Sequence, residues 1–254
     1  MIQYDSQNTF KEIHYNGYDI KKVYGNNHLV WEKSSPTPAY KLKAEYNGVS
    51  YELPWDGNPI LTSGETLSLY NSIPTPSYGT YVDFTVGANV TELGESCFQI
   101  NKHLYVGNIY IPSNVKTIRF QALRNCNSEN GGRVVCEAFN GTMVEDQNFQ
   151  LCSIQDNLDL SGCNFANNRL YFSVYNSYNI KNLILPDSLT SLIYSPNNCN
   201  TLESVTILAT TPPSSNSSFN YCPNLRVIYV PSESVNDYKT AWSSLSNKIQ
   251  AIPT

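Results

Sequence analysis

The stretch that decides the fold is "NYCPNLRVIYVPSESVNDYKTAW", Asn220 to Trp242. Cys222, Leu225, Ile228 and Val230 stand there at the same mutual spacing as Cys199, Leu202, Val205 and Ile207 of "NNCNTLESVTIL", 23 residues earlier. Walking the Cys position backwards gives Cys199, Ser177, Cys152, Cys126 and Asn101, at steps of 23, 22, 25, 26 and 25. A period of about 20 to 30 residues is the sequence mark of a solenoid, in which no single repeat can bury its own apolar side and stacked copies share one core.

Six and eight residues after the anchors come apolar pairs: Ile228 and Val230, Val205 and Ile207, Leu183 and Leu185, Leu158 and Leu160. Val134 with Cys136 and Ile109 with Ile111 complete the set after two-residue insertions. Apolar, any, apolar is the pattern of a short strand with one buried face. Phe219, Phe149, Leu123 and Phe98, three to four residues before their anchors, are expected to fill the opposite side of the coil. Proline follows the strand in "YIPSNV", "LPDSL" and "YVPSESV", where its missing N–H ends the ladder. Val235, Tyr238, Ala241, Trp242 and Leu245 then recur at helical spacing, with Ser234 as the expected N-cap of a helix that seals the core. The competing reading is an ordinary β-rich domain in which Cys and Leu coincide by chance.

Composition narrows the function. The 254 residues are 41% hydrophobic and only 15% charged, with 31 Asn and 19 Tyr and a net charge of -5. The surface is polar but weakly charged, without the basic footprint that phosphate backbones or anionic lipids need, so nucleic acid and membrane insertion are excluded as partners. The opening "MIQYDSQNTFKEIHY" has neither the basic nor the apolar region of a secretory signal, and no window approaches a membrane span. Seven Cys without a CxxC pair read as small buried thiols, not a disulfide framework.

The segments "IPSNVKTIRFQALRNC", "LPDSLTSL" and "CPNLRVIYVPSESVNDYKTAW" resemble BspA-like leucine-rich repeats, the last one their terminal repeat and cap. The resemblance covers about residues 83 to 254 and departs from the pattern between Gly131 and Asn179. It implies a mainly β leucine-rich-repeat solenoid with one short parallel strand per coil and a C-terminal capping helix. It also implies a binding or adhesion surface in place of a catalyst.

The first third reads differently. "FKEIHYNGYDIKKVYGNNHLVWE" predicts three short antiparallel strands, Glu12 to Tyr15, Tyr18 to Tyr24 and Leu29 to Trp31, a small meander turned at Asn16-Gly17 and at "GNN". So small a sheet needs a partner surface. The expected organisation is a docking module over 1–33 with Tyr15, Tyr18, Tyr24 and Trp31 as its contact residues, a Pro/Ser linker over 34–39, a lead-in β segment over 40–82 and the solenoid over 83–254. The opening resembles short modules on structural proteins of Bacteroides-type, crAss-like phages, and "YKLKAEYNGVSYELPWDGNPILTSGETLSLY" resembles the lead-in to their repeats. That resemblance implies a virion protein, multi-copy in its assembly, joined to other virion proteins through residues 1–33. The alternative is a bacterial cell-surface adhesin.

Chemistry is sparse. His14 and His28 offer too few ligands for a metal, and the separations of Cys126, Cys136, Cys152 and Cys163 lack the close pairs of zinc sites, so neither metal nor cofactor is expected. Cys97 with His103 is the one conceivable nucleophile pair, with Cys97 expected to point inward. Asp156, Asp159 and Glu203 are the acids nearest the strand face and read as solvated. No enzyme is indicated. If positions six and eight of each strand face inward, position seven faces out. The outward ladder is then Tyr110, Val135, Asp159, Ile184, Thr206 and Tyr229, rimmed by Lys181, Glu203 and Arg226, with two tyrosines and an isoleucine exposed. This face is the expected site for a host surface protein or glycan, aromatic side chains being the ones that dominate interface energetics.

Overall fold

A computed structural model describes residues 2–4, 10–15, 18–19, 22–25, 28–32, 40–76, 79–99, 105–126 and 132–253, with side chains from Tyr40 onward. The chain divides into two compact units, Met1–Ala39 and Tyr40–Thr254.

In the first unit, Ile2–Tyr4, Phe10–Tyr15 and Tyr18–Asp19 form a three-stranded antiparallel sheet, while Lys22–Gly25 and His28–Glu32 pair as a separate hairpin. The single meander is thus corrected to two small sheets. Ile2–Tyr4 is an additional strand, and the stretch from Tyr18 to Tyr24 is two strands in different sheets. Tyr15 stands opposite Tyr18, Tyr24 opposite Leu29 and Trp31 opposite Val23. The side chains of these docking candidates, the Asn16-Gly17 turn and the 34–39 linker lie outside the described residues.

The second unit begins with a hairpin, Tyr40–Tyr46 and Val49–Pro54, turned at Asn47 and Gly48, whose φ angles of 49° and 75° are those of a type I′ turn. Tyr40–Tyr46 pairs antiparallel with Val82–Val86, and from there the ladder is parallel through Val106–Ile111 to Val134–Cys136. A second parallel sheet continues the same wall with Asn157–Asp159, Asn182–Leu185, Ser204–Ile207, Val227–Val230 and Ile249–Ala251. The opposite wall stacks Ile60–Leu61, Glu92–Leu93, Thr117–Ile118, Thr142–Val144 and Cys163–Phe165, then, in a further sheet, Arg169–Tyr171, Ser191–Ile193 and Ser214–Asn216. The unit is a mainly β solenoid with one parallel strand per coil on its first wall.

The apolar pairs fill the space between the walls. Leu158, Leu160, Leu183, Leu185, Val205, Ile207, Ile228 and Val230 are buried, as are Ile109, Ile111 and Val134, in one cluster that also takes in Leu42 and Leu61 of the lead-in. Each such side chain contributes on the order of 1.5–3 kcal/mol by leaving water. Phe98, Leu123, Phe149 and Phe219 are buried on the far side, and Cys136 is only half-buried. Residues 40–82 therefore share the core of the coils.

The anchors have a physical cause. The Cys152 thiol donates to the Leu123 carbonyl, the Ser177 hydroxyl to Phe149 O at 2.6 Å, and the Cys199 thiol to Val174 O at 3.6 Å. Each acceptor lies three residues before the anchor of the preceding coil. The position takes a small side chain with one donor, which Ser supplies as well as Cys; Val174 O also accepts the Asn197 N–H at 3.0 Å and Leu123 O the Cys126 thiol at 2.8 Å, so the anchor adds a second bond to those two carbonyls. Asn101, the first anchor, lies outside the described residues.

One residue of the insertion before Ile109 is visible as a bulge. Val82 pairs with Val106 and Phe84 with Ile109, so the later strand carries one extra residue there. The Asp83 carboxylate accepts the Asn108 N–H, and a Cβ on Gly107 would sit 2.0 Å from Asp83 Oδ1, so a larger residue there would displace that carboxylate.

The departure between Gly131 and Asn179 is a seam in the ladder. In the coil from Ser153 to Tyr178, Ile154 makes a single bridge to Val134, and three residues later Asn157–Asp159 opens the second sheet. On the opposite wall Cys163–Phe165 ends one sheet and Arg169–Tyr171 begins the next.

The turn wall after the second strand is lined by left-handed residues, one per coil in each of two columns. Gln121, Gln147, Phe172, Tyr194 and Ser217 have φ between 47° and 60°, and Asn125, Leu151, Asn176, Asn198 and Tyr221 between 51° and 56°. Asn tolerates this region better than most residues, which gives part of the Asn content a structural role.

Among the described residues two short α-helices complete the unit. Ser63–Asn71 is unforeseen, although "TSGE" spells its capping box: Thr62 Oγ1 accepts the Glu65 N–H, and Glu65 Oε2 accepts the Thr62 N–H at 2.8 Å. Val235–Ala241 is the expected C-terminal helix. Ser234 does not cap it, because its hydroxyl donates back to Thr210 O at 2.7 Å, and Ala241 is exposed. No helix among the described residues is long and apolar enough to cross a membrane.

Candidate functional site

The parallel register brings the candidate ladder together in two groups. Tyr110 stands between Thr85 and Val135, and Lys43 extends that row through Thr85. Asp159, Ile184, Thr206 and Tyr229 form the second row, continued by Gln250. The seam separates the rows, since Val135 and Asp159 belong to different sheets.

Exposure corrects the expected surface. Tyr110, at 41%, and Asp159 are exposed, whereas Val135, Ile184, Thr206 and Tyr229 are half-buried. Beside Tyr110 the face opens into a groove of 240 Å³ lined by Thr85, Val86, Ile111, Pro112, Val135 and Glu137.

The rim is more ordered than the sequence reading supposed. The Lys181 N–H donates to Asp156 O, the Glu203 N–H to Lys181 O and the Arg226 N–H to Glu203 O, so Asp156, Lys181, Glu203 and Arg226 form one column with alternating charge. The Asp156 carboxylate binds the Lys181 ammonium at 2.9 Å and the Arg133 guanidinium. The Lys181 hydrogen bond, with help from Arg133, holds its carboxyl below the usual range. Asp156 was missed as a rim residue, although it stands four residues after Cys152 as the other three stand four after their anchors. Opposite charges on neighbouring strands favour this coil order over a shifted one.

The chemical candidates have other partners. The Cys97 thiol is buried beside the Thr66 hydroxyl at 3.6 Å, and burial pushes it up to about 12, so it is no nucleophile near neutral pH. His103 lies outside the described residues. His14 stands opposite Asp19 and His28 opposite Gly25, in separate sheets. Cys126 and Cys152 touch at 3.2 Å as stacked anchors, and burial raises the Cys136 and Cys163 thiols. Among the described residues no group of three or more His, Cys, Asp or Glu is placed to hold a metal ion. Asp56 closes its own turn by accepting the Asn58 N–H at 2.8 Å and also meets Lys41, a fully buried lysine whose ammonium binds Glu65 at 2.6 Å.

The family of BspA type leucine rich repeat regions matches in six copies, over residues 78–155 and 139–249, more than half of the chain. The chain belongs to the BspA-type leucine-rich-repeat family. The match begins after the lead-in helix and gives no support to the phage resemblance of the first third. The crystal structure of the pneumococcal vaccine antigen PcpA aligns at 16% identity with a TM-score of 0.40, covering 84% of this chain and 48% of that one. This chain thus spans about half the length of that protein. Comparison with curated proteins finds no match.

Proposed function

We propose that the repeat unit is a non-enzymatic recognition surface of a cell-surface adhesin, binding a protein partner through the strand wall around Tyr110. The observation that carries this is the register of that wall: Tyr110 projects from a rigid parallel ladder beside the 240 Å³ groove, with Val135 next to it. A preorganised backbone costs little ordering on contact, and many copies on one surface turn weak single contacts into firm attachment. Family membership supports the adhesin reading over that of a virion protein.

The test is adhesion of beads coated with the purified chain to intact epithelial and bacterial cells. Wild-type beads should adhere, and beads carrying Tyr110→Ser, Ile184→Ser and Tyr229→Ser together should not. Equal adhesion by both would remove the strand wall from the function.

A second reading keeps the virion role. It draws on the separate compact unit Met1–Ala39, a piece suited to docking with other virion proteins. Deleting residues 1–33 should abolish incorporation into phage particles, and normal incorporation would end this reading.

A further inference from the structure

The turn wall carries a concavity of 460 Å³ that shares no residue with the strand face. Its rings are Tyr175, Tyr194 and Tyr221, its amides Asn197, Asn198 and Asn220, and the Ser217 hydroxyl joins them; among the described residues no charged side chain lines it. The left-handed columns build it, since Tyr194, Asn198, Ser217 and Tyr221 all have positive φ and turn the chain there in two successive coils.

The rings are fixed in advance. Tyr194 stacks on Phe172, centroids 4.6 Å apart and planes at 17°, and Tyr175 and Tyr171 brace Phe172 edge-on at 5.3 Å and 4.9 Å. The Arg169 guanidinium lies 4.8 Å from the Tyr171 ring. The amides are held too: Asn197, 4% exposed, donates to Ser217 O, and Asn198 donates to the Asn176 side-chain oxygen. Tyr221, by contrast, is 77% exposed, more than any other large hydrophobic side chain among the described residues.

Such a surface selects for a ligand with an apolar C–H face and a hydroxylated edge. The negative face of a tyrosine ring attracts polarised C–H groups, and an amide offers both donors and an acceptor to neighbouring hydroxyls. An ionic ligand would lose hydration without gaining a counter-charge. The volume falls within the range of small-ligand sites. We propose that this concavity binds a neutral oligosaccharide, with Tyr194 and Tyr221 stacking on sugar rings and the Asn197, Asn198 and Asn220 amides reading their hydroxyls.

The test is native-gel electrophoresis of the full chain through glycogen, yeast mannan, galactomannan or arabinoxylan, with hyaluronan and polygalacturonate as anionic probes. At least one neutral polysaccharide should retard the protein, unchanged by high salt. Tyr194→Ala and Tyr221→Ala should each weaken that retardation about tenfold or more. Tyr221 is so exposed that its substitution leaves the fold intact. The Tyr110→Ser, Ile184→Ser, Tyr229→Ser protein should keep the retardation, which separates this site from the strand wall. Retardation by none of the neutral probes, by the anionic probes alone, or equally for wild type and Tyr221→Ala would overturn the proposal, and binding only to protein-coated surfaces would do the same.

Discussion

The Tyr238 hydroxyl donates to the Ala209 carbonyl at 2.8 Å, tying the C-terminal helix to the coil before it from a side chain that no water reaches. Trp242 Nε1 repeats the bond to Pro213 O at 3.1 Å, and its ring packs against Phe219 and Tyr238. Tyr238→Phe should cost about 1 kcal/mol by leaving that carbonyl unpaired, and Trp242→Ala about 3–5 kcal/mol through the cavity it opens. Urea midpoints measure both; a Trp242→Ala midpoint equal to wild type would show that the helix does not seal the core.

The anchor rule predicts an asymmetry at Ser177. Ser177→Ala removes the donor to Phe149 O and should cost about 1–2 kcal/mol, whereas Ser177→Cys restores the residue found in the neighbouring coils and should cost less. Equal losses in chemical denaturation would refute the donor's importance.

Acid should weaken the lead-in. Burial alone would raise the Glu65 pKa, but the Lys41 ammonium and Thr62 outweigh it and hold the carboxyl below its ordinary value. Stability from this group is therefore full above the unfolded value, about 4.3, and is lost as pH falls through the lower folded one. Glu65→Gln keeps the capping box but leaves Lys41 buried with Asp56 alone, at a cost of about 3 kcal/mol at neutral pH. Its midpoint should also vary less between about pH 5 and 3.

Alkali should act through the thiols. Cys97 and Cys163 are both pushed up to about 12 by burial, while an unfolded thiol ionises near 8.5. Both states hold the proton below that value; above it the unfolded chain releases protons that the folded one keeps, so stability declines as pH rises. The Cys97→Ala, Cys163→Ala protein should lose less between about pH 8 and pH 10 in guanidinium titrations. An identical slope would assign the alkaline loss to other groups.

The strand positions were legible because Ile228 and Val230 repeat Val205 and Ile207 with period two inside a period of 23, and a buried wall permits no slip in that pattern. The helix at Ser63–Asn71 was not, since it buries only Thr66, Leu69 and Tyr70 and so carries almost no apolar periodicity; only its capping box announced it. Ser234 has the right chemistry for an N-cap, but Thr210 O competes for its hydroxyl across the coil, a contact that no local pattern encodes. For the same reason Tyr229 and Ile184 looked exposed: alternation assigns a side, while neighbouring coils decide how much of it meets water. The Asn and Tyr concavity was invisible because its residues are spaced as turns and meet only when coils stack.

The coil from Ser153 to Tyr178 changes partners on both walls within one turn of the chain, at Ile154 and Asn157 on one side and at Phe165 and Arg169 on the other. The strands that carry the groove at Tyr110 and those that follow Asn157 thus belong to different ladders, joined by the Val134–Ile154 bridge, the Arg133–Asp156 ion pair and a common apolar core, so a substitution that loosens that pair should be felt by both ladders.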